Sequence, residues 1–113
     1  MNYKFPLSYD SWNHEEQEAL YEVVKDGFFT MGKKVKKFEE EFSNYVGSKY
    51  SVMVNSGSSA NLLMVASFFY TKDSKIKLKR GDEVIVPAVS WSTSYYPLYQ
   101  YGLKIKFVDI DLD

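Results

Sequence analysis

Apolar side chains in the first part of the chain recur at the three- and four-residue steps of amphipathic helices. Residues 12–25 place apolar positions on one face, and residues 33–45 repeat the pattern. The positions that form the two faces are Ala19, Leu20, Val23, Val24, Val35, Phe38, Phe42 and Tyr45. We expect Ser11 to cap the first helix, and Gly27 and Gly47 to end the two helices.

The remainder of the chain alternates short apolar runs with helical segments. Residues 50–54, 83–86 and 106–110 have the composition of strands, the second of them stopped by a proline. Residues 60–70 are apolar on almost every side, which predicts a helix covered on both faces. A shorter helix is expected over residues 93–101. The order α-α-β-α-β-α-β predicts an α/β layered fold with a largely parallel sheet.

The 113 residues suffice for one small domain. Within it we expect N-terminal helices over residues 1–47 and the start of an α/β sheet over residues 48–113. A three-stranded sheet offers few partners to a helix that is apolar all round, and the last strand ends just before Asp113. We therefore expect an incomplete sheet, the N-terminal portion of a larger α/β protein.

Cysteine and histidine content excludes several kinds of site. The chain has no Cys, which excludes a disulfide scaffold, a Cys-ligated metal site and a Cys nucleophile. His14 is the only histidine and lies in a glutamate-rich segment without a recognisable partner, which argues against a catalytic triad or a multi-His site. We expect no metal site.

The charge pattern and the N-terminus narrow the class further. The net charge of −1 argues against a basic nucleic-acid-binding protein, and the lysine-rich residues 72–80 are expected to form a solvated loop. The N-terminus lacks the apolar region of a signal peptide, and no apolar stretch is long enough to span a bilayer. These features predict a cytoplasmic protein.

A phosphate-binding turn is predicted between the first strand and the helix over residues 60–70. Ser56, Gly57, Ser58 and Ser59 would direct backbone N–H groups and hydroxyls toward one point at the positive end of that helix. The Lys-Ser/Thr pair of a triphosphate-binding loop and the three glycines of a dinucleotide fingerprint are both missing. The turn therefore suits a phosphate monoester, with an ordinary helix cap as the alternative.

Trp91 is a second candidate for ligand binding. It follows the strand over residues 83–86, and ligands of α/β sheets bind beyond the carboxyl ends of the strands. Small hydroxyl residues surround it and leave its ring face open, so that a flat, electron-poor ring can stack on the indole. A Trp that packs in the core is the alternative.

Taken together, these stretches resemble the DegT/DnrJ/EryC1/StrS family of pyridoxal-phosphate (PLP)-dependent sugar aminotransferases and dehydratases. The matching stretches occur in order at residues 29–32 (FTMG), 38–42 (FEEEF), 53–62 (MVNSGSSANL), 81–88 (GDEVIVPA) and 107–111 (FVDID). Residues 90–98 (SWSTSYYPL) look most like the 3-dehydratase branch, the type that acts on GDP-4-keto-6-deoxymannose.

The resemblance implies a fold and roles for particular residues. The fold would be the start of the large domain of a fold-type-I PLP-dependent transferase. The phosphate of PLP would be held by the serine-rich turn, at Gly57, Ser58 and Ser59. The cofactor ring would stack on the indole of Trp91. A third segment, Thr30, Met31 and Gly32, would lie near the substrate at the mouth of the active site and the subunit interface.

The resemblance also implies an activity for the full-length protein. It would act on a nucleotide-linked 4-keto-6-deoxy sugar, in the synthesis of deoxy- or aminosugars for surface polysaccharide, as a homodimer. C3 dehydration is favoured over amination with glutamate as donor. The deciding residue, a Lys in aminotransferases and a His in 3-dehydratases, is expected beyond Asp113, so the 113 residues alone should be inactive. A non-catalytic α/β module that binds a phosphorylated ligand is the alternative from another class.

Overall fold

The computed structural model describes residue 5 and residues 8–111. These residues separate into two compact units, one ending at Ser51 and one starting at Val52. The helices are α1 (His14–Asp26), α2 (Lys33–Val46), α3 (Gly57–Tyr70) and α4 (Tyr96–Gln100), with a 3₁₀-helix at Ser92–Ser94, and the strands are β1 (Glu83–Pro87) and β2 (Lys104–Val108). The sequence-based division after residue 47 falls four residues before this boundary.

Helix α1 begins with a capping box. The Asn13 side chain accepts a hydrogen bond from the Glu15 N–H at 2.7 Å, and the Glu16 carboxylate accepts one from the Asn13 N–H at 2.8 Å. The prediction of Ser11 as the cap and residue 12 as the start was wrong, because Ser11 is followed three residues later by His14, whereas Asn13 is followed by Glu16, which completes the reciprocal pair. Gly27, with φ 67°, ends the helix as predicted.

Helix α2 begins where it was predicted and runs one residue further, to Val46. Gly47 ends it with φ 71°, as expected from the sequence. The Phe38 and Phe42 rings stack along the apolar face with their centroids 5.7 Å apart. Lys34 of this helix forms an exposed ion pair with Glu22 of α1, with Nζ and Oε2 3.3 Å apart.

The sheet of the second unit pairs β1 and β2 in parallel, as the alternation of strands and helices predicted. Val86 lies opposite Phe107 in the register. Strand β2 starts at Lys104, two residues before the predicted start, because the Lys104 N–H already donates to the Asp82 carbonyl at 2.8 Å. β1 includes Pro87, and the next residue, Ala88, donates its N–H to the Val108 carbonyl.

The prediction of a strand over residues 50–54 was wrong. The structure assigns no strand there, because the ladder between β1 and β2 is the sheet formed by the described residues and it does not extend to this segment. Val52 is exposed rather than buried. A strand needs a hydrogen-bonded neighbour, and an apolar run alone does not supply one.

Helix α3 starts at Gly57, three residues before the predicted Ala60, so the serine-rich turn forms its first turn. Val65 is its one buried side chain, 5% exposed, whereas Met64 is 56% exposed. The prediction of a helix covered on both faces therefore does not hold within the described chain, because α3 packs mainly against the 3₁₀-helix and α4, which are too short to cover both of its faces.

The segment after β1 forms two short helices instead of one continuous helix over residues 93–101. A continuous helix would need the Pro97 nitrogen to donate to the Thr93 carbonyl, and proline has no N–H. The Thr93 carbonyl accepts from the Asn61 side chain instead, at 3.3 Å. Pro97 is buried at the start of α4, and Val86 and Leu103 are the buried hydrophobic residues of the neighbouring strand segments in the same unit.

Candidate functional site

The first turn of α3 is built by its N-cap, Ser56. The Ser56 backbone is extended, with φ −162°, and its Oγ accepts a hydrogen bond from the Ser59 N–H at 3.2 Å. Gly57 and Ser58 precede Ser59, at positions whose N–H groups have no carbonyl acceptor within the helix. These two N–H groups therefore lie at the positive end of the α3 dipole, where an anion is favoured.

The side chains of this turn differ in the donors that they offer. Ser59 is half-buried, and its hydroxyl donates to Asn55 Oδ1 at 2.6 Å, so its proton is already engaged. Ser58 is exposed. A Cβ atom placed on Gly57 would meet no atom within 4 Å, so the space in front of this residue is open. The turn thus presents the Gly57 and Ser58 N–H groups and the Ser58 hydroxyl to a ligand.

Trp91 caps the 3₁₀-helix that follows β1. Its carbonyl accepts a hydrogen bond from the Ser94 N–H at 2.9 Å, and its side chain is 76% exposed. The indole is therefore not part of the buried core of the second unit. An exposed indole supplies a flat apolar surface on which an aromatic ligand can stack.

The structure brings the predicted phosphate-binding turn and the segment after Trp91 together. Thr93 accepts the hydrogen bond from Asn61 of α3. A cleft of about 250 Å³ lies between the two elements, lined by Ser58, Ser59, Leu62, Thr93, Tyr96, Pro97 and Gln100. The cleft thus joins the serine-rich turn to residues that follow Trp91 in the chain, and the Trp91 side chain is not among the described residues that line it.

The predicted substrate segment lies in the first unit. Thr30 and Gly32 line a cleft of about 780 Å³ between the end of α1 and the start of α2, together with aromatic and lysine side chains. Met31 is exposed. A Cβ on Gly32 would collide with the Phe28 ring, so glycine permits the close approach of that ring.

Three residues of this region were not singled out from the sequence. Asn55 accepts the Ser59 hydroxyl, Asn61 links α3 to the loop after β1, and Tyr95 bonds back to the end of β1. The four-residue spacing of Asn55 and Ser59 is a signal that could have been used. The hydrogen bonds of Asn61 and Tyr95 join residues in different elements, and no local sequence pattern predicts them.

Two kinds of feature are missing from the part of the chain that the structure describes. It contains no helix long and apolar enough to cross a membrane. It also brings together no group of three or more His, Asp or Glu side chains that could hold a metal ion.

Comparison with known proteins gives a family match over most of the chain. The sequence profile of the DegT/DnrJ/EryC1/StrS aminotransferase family matches residues 10–113. This range includes both the serine-rich turn and Trp91.

Individual relatives are enzymes that act on nucleotide sugars. The chain is 60% identical over 107 residues to a GDP-4-keto-6-deoxy-D-mannose 3-dehydratase from Yersinia pseudotuberculosis, covering 95% of this chain and 27% of the relative. It is 38% identical to a dTDP-4-dehydro-2,6-dideoxy-D-glucose 3-dehydratase from Saccharopolyspora spinosa, covering 88% of this chain and 22% of the relative. The chain thus spans about a quarter of the length of these relatives.

Solved structures agree with the sequence comparison. A GDP-4-keto-6-deoxymannose-3-dehydratase with a trapped PLP-glutamate geminal diamine superposes with a TM-score of 0.86 at 57% identity, over 96% of this chain and 28% of that protein. The described elements therefore have the arrangement found in part of a PLP-dependent enzyme.

Proposed function

Because this chain belongs to the DegT/DnrJ/EryC1/StrS aminotransferase family, we propose that it forms the N-terminal, cofactor-binding part of a PLP-dependent nucleotide-sugar 3-dehydratase. The observation that carries the proposal is the 60% identity to a GDP-4-keto-6-deoxy-D-mannose 3-dehydratase across nearly the whole chain. The fold-type-I large domain and the residue roles below are parts of the same proposal.

The residues present fit PLP. The cofactor carries one phosphate monoester and one aromatic ring, and the second unit offers one site suited to each. The Gly57 and Ser58 N–H groups would hold the phosphate, helped by the Ser58 hydroxyl, and the open space at Gly57 lets the phosphate approach the backbone. Ser59 would support the turn through Asn55. Trp91 would stack on the ring, and PLP, when bound, supplies an electron sink.

The segment Thr30, Met31 and Gly32 is proposed to contact the nucleotide sugar. Two of these residues line the cleft of the first unit, which also carries Asp26, Lys33, Lys34 and Lys37. Lys34 and Lys37 form exposed ion pairs with Glu22 and Glu41, so Lys33 is the cleft lysine for which no ion pair is found among the described residues. Cationic and apolar side chains in one cleft suit an anionic, partly apolar ligand such as a nucleotide-linked deoxysugar. A homodimer and glutamate as the amino donor to the cofactor are proposed for the complete enzyme.

Dehydration at C3 is favoured over amination because the similar proteins are named as 3-dehydratases. Relatives at 60% and at 38% identity are both named 3-dehydratases, although their nucleotides and sugars differ. The reaction is thus the common feature, and the higher identity favours a GDP-linked substrate. Amination of the keto sugar remains the second candidate within the family.

Product analysis tests the proposal. The complete protein that carries this stretch would be incubated with PLP, glutamate and GDP-4-keto-6-deoxymannose, and the sugar analysed by NMR and mass spectrometry. We expect a product that has lost its C3 oxygen and still has its C4 carbonyl. An amino group at C4 would overturn dehydration in favour of amination, and an unchanged sugar would contradict the proposed enzyme.

A further inference from the structure

The loop that carries Trp91, residues 88–94, is held at its base and at its far end by two polar side chains. We propose that Tyr95 and Asn61 are positioning residues that set the place and the orientation of the Trp91 ring relative to the first turn of α3. The inference rests on the proposed function, because it assumes that Trp91 stacks on the cofactor whose phosphate lies on that turn.

Tyr95 closes the base of the loop. Its hydroxyl donates to the Pro87 carbonyl at 2.8 Å, with the Ala88 carbonyl 3.4 Å away. Its ring meets the Phe107 ring edge to face, with the centroids 5.3 Å apart. Its backbone N–H donates to the Ser92 carbonyl at 3.0 Å. Tyr95 thus joins the end of β1 to the end of the 3₁₀-helix and packs both against β2.

Asn61 holds the other side of the loop. It lies one turn after Gly57 on α3, and its side-chain N–H donates to the Thr93 carbonyl at 3.3 Å, in a partly buried position. Thr93 and Ser58 line the same cleft. This hydrogen bond is therefore a direct link between the helix whose first turn would hold the phosphate and the segment that follows Trp91.

The first loop residue, Ala88, is fixed by its N–H, which donates to the Val108 carbonyl at 2.7 Å, and the stretch beyond it has little else to fix its position. Val89 is 67% exposed, and the Trp91 side chain itself is exposed, so neither anchors the loop by burial. Within the loop, Ser90 Oγ donates to Ser94 Oγ at 3.0 Å, which shapes the loop without attaching it to another element. A ring that is ordered before the ligand arrives binds it more tightly, because the cost of ordering is not subtracted from the binding free energy.

The test uses Tyr95→Phe, Asn61→Ala and the double variant in the complete protein, with Tyr99→Phe as the matched control. Tyr99 lies four residues after Tyr95 and is exposed. Three quantities would be measured: the Kd for PLP, the induced circular dichroism in the absorption band of the bound cofactor, and the melting temperature of the cofactor-free protein.

We expect each single variant to bind PLP about five- to tenfold more weakly, the scale of one lost hydrogen bond, and to show a smaller induced dichroism at saturation. The double variant should lose more than either single variant, and Tyr99→Phe should match the wild type. The dichroism reports ring orientation at full occupancy, so a purely structural role would not change it.

PLP binding by the wild type distinguishes failure of the positioning role from failure of the proposed function. If wild type and variants bind PLP with the same Kd and dichroism, the positioning role is wrong while the cofactor assignment stands. A lowered melting temperature with unchanged dichroism at saturation also overturns the positioning role. If the wild type binds no PLP, the proposed function fails and the inference fails with it.

Discussion

Gly57 is a residue at which the proposed cofactor would require glycine and the fold would not. Its φ is not in the left-handed region, and a Cβ there would meet open space, so the fold alone does not require glycine. A phosphate that contacts the backbone N–H groups of this turn would occupy part of that space. The requirement for glycine would then come from the ligand.

We therefore predict that Gly57→Ala leaves the melting temperature of the cofactor-free protein unchanged or slightly raised and weakens PLP binding at least tenfold. The expected stability follows from the lower backbone entropy of alanine in the unfolded chain. Ser67→Ala is the matched control on the same helix, since the Ser67 hydroxyl bonds only to the Met64 carbonyl among the contacts of α3. Equal PLP affinity in Gly57→Ala and wild type would contradict a phosphate on this turn.

At the level of elements, the capping box of α1 has a predictable pH dependence. The hydrogen bond from the Asn13 N–H lowers the pKa of the Glu16 carboxyl below its ordinary value of 4.5. A carboxyl with a lowered pKa stabilises the folded state above the pKa of the unfolded chain and loses that contribution as the pH falls through the folded value. The start of α1 should therefore fray only in acid.

We expect the Asn13 amide resonance to titrate with a midpoint below 4.5, and Glu16→Gln to abolish that titration. Two-dimensional NMR across the acidic range gives both values. A midpoint at or above the ordinary value, or the same titration in Glu16→Gln, would show that the carboxylate does not accept this hydrogen bond in solution.

The small core of the second unit supports the elements that carry the site. Leu103 is 4% exposed, just before β2, whereas Leu63 of α3 is 48% exposed. Leu103→Ala is expected to destabilise the unit by about 2–5 kcal/mol, the range for buried large-to-small changes. In the 113 residues alone, Leu63→Ala should cost well under half as much, and comparison of the two denaturant unfolding curves checks this. Equal losses there would contradict the exposure of Leu63 in this unit.

The sequence predicted most helix ends but fewer strand features, for identifiable reasons. The helix ends at Gly27 and Gly47 were predictable because glycine adopts the left-handed conformation at little cost, and this preference depends on the residue alone. The strand predicted over residues 50–54 depended on a neighbour that the described residues do not supply. The break before α4 depended on Pro97, which was visible in the sequence but was not used to divide the predicted helix.

The separate stretches of the candidate site could be predicted from the sequence, but the contacts between them could not. Local residue chemistry indicated the serine-rich turn and Trp91 separately. The approach of the segment after Trp91 to α3 includes the Asn61–Thr93 hydrogen bond, which spans 32 residues of sequence and has no local signature. Such contacts follow from the packing of α3 against the segment after β1, which sequence patterns do not specify.

At the scale of the whole molecule, each unit carries candidate residues of its own. The first unit contains Thr30, Met31 and Gly32, and the second contains the serine-rich turn and Trp91. The large exposed apolar surface of α3 is what such a chain shows when a helix that is apolar all round packs mainly against a short 3₁₀-helix and the short helix α4. In the complete enzyme we expect further elements to cover that surface.

The most direct test of the account is a crystal structure of the complete protein grown with PLP. The account predicts that the phosphate lies within hydrogen-bonding distance of the Gly57 and Ser58 N–H groups, with the cofactor ring stacked on the Trp91 indole. A cofactor bound with its phosphate at any other element, or with its ring away from Trp91, would contradict the account.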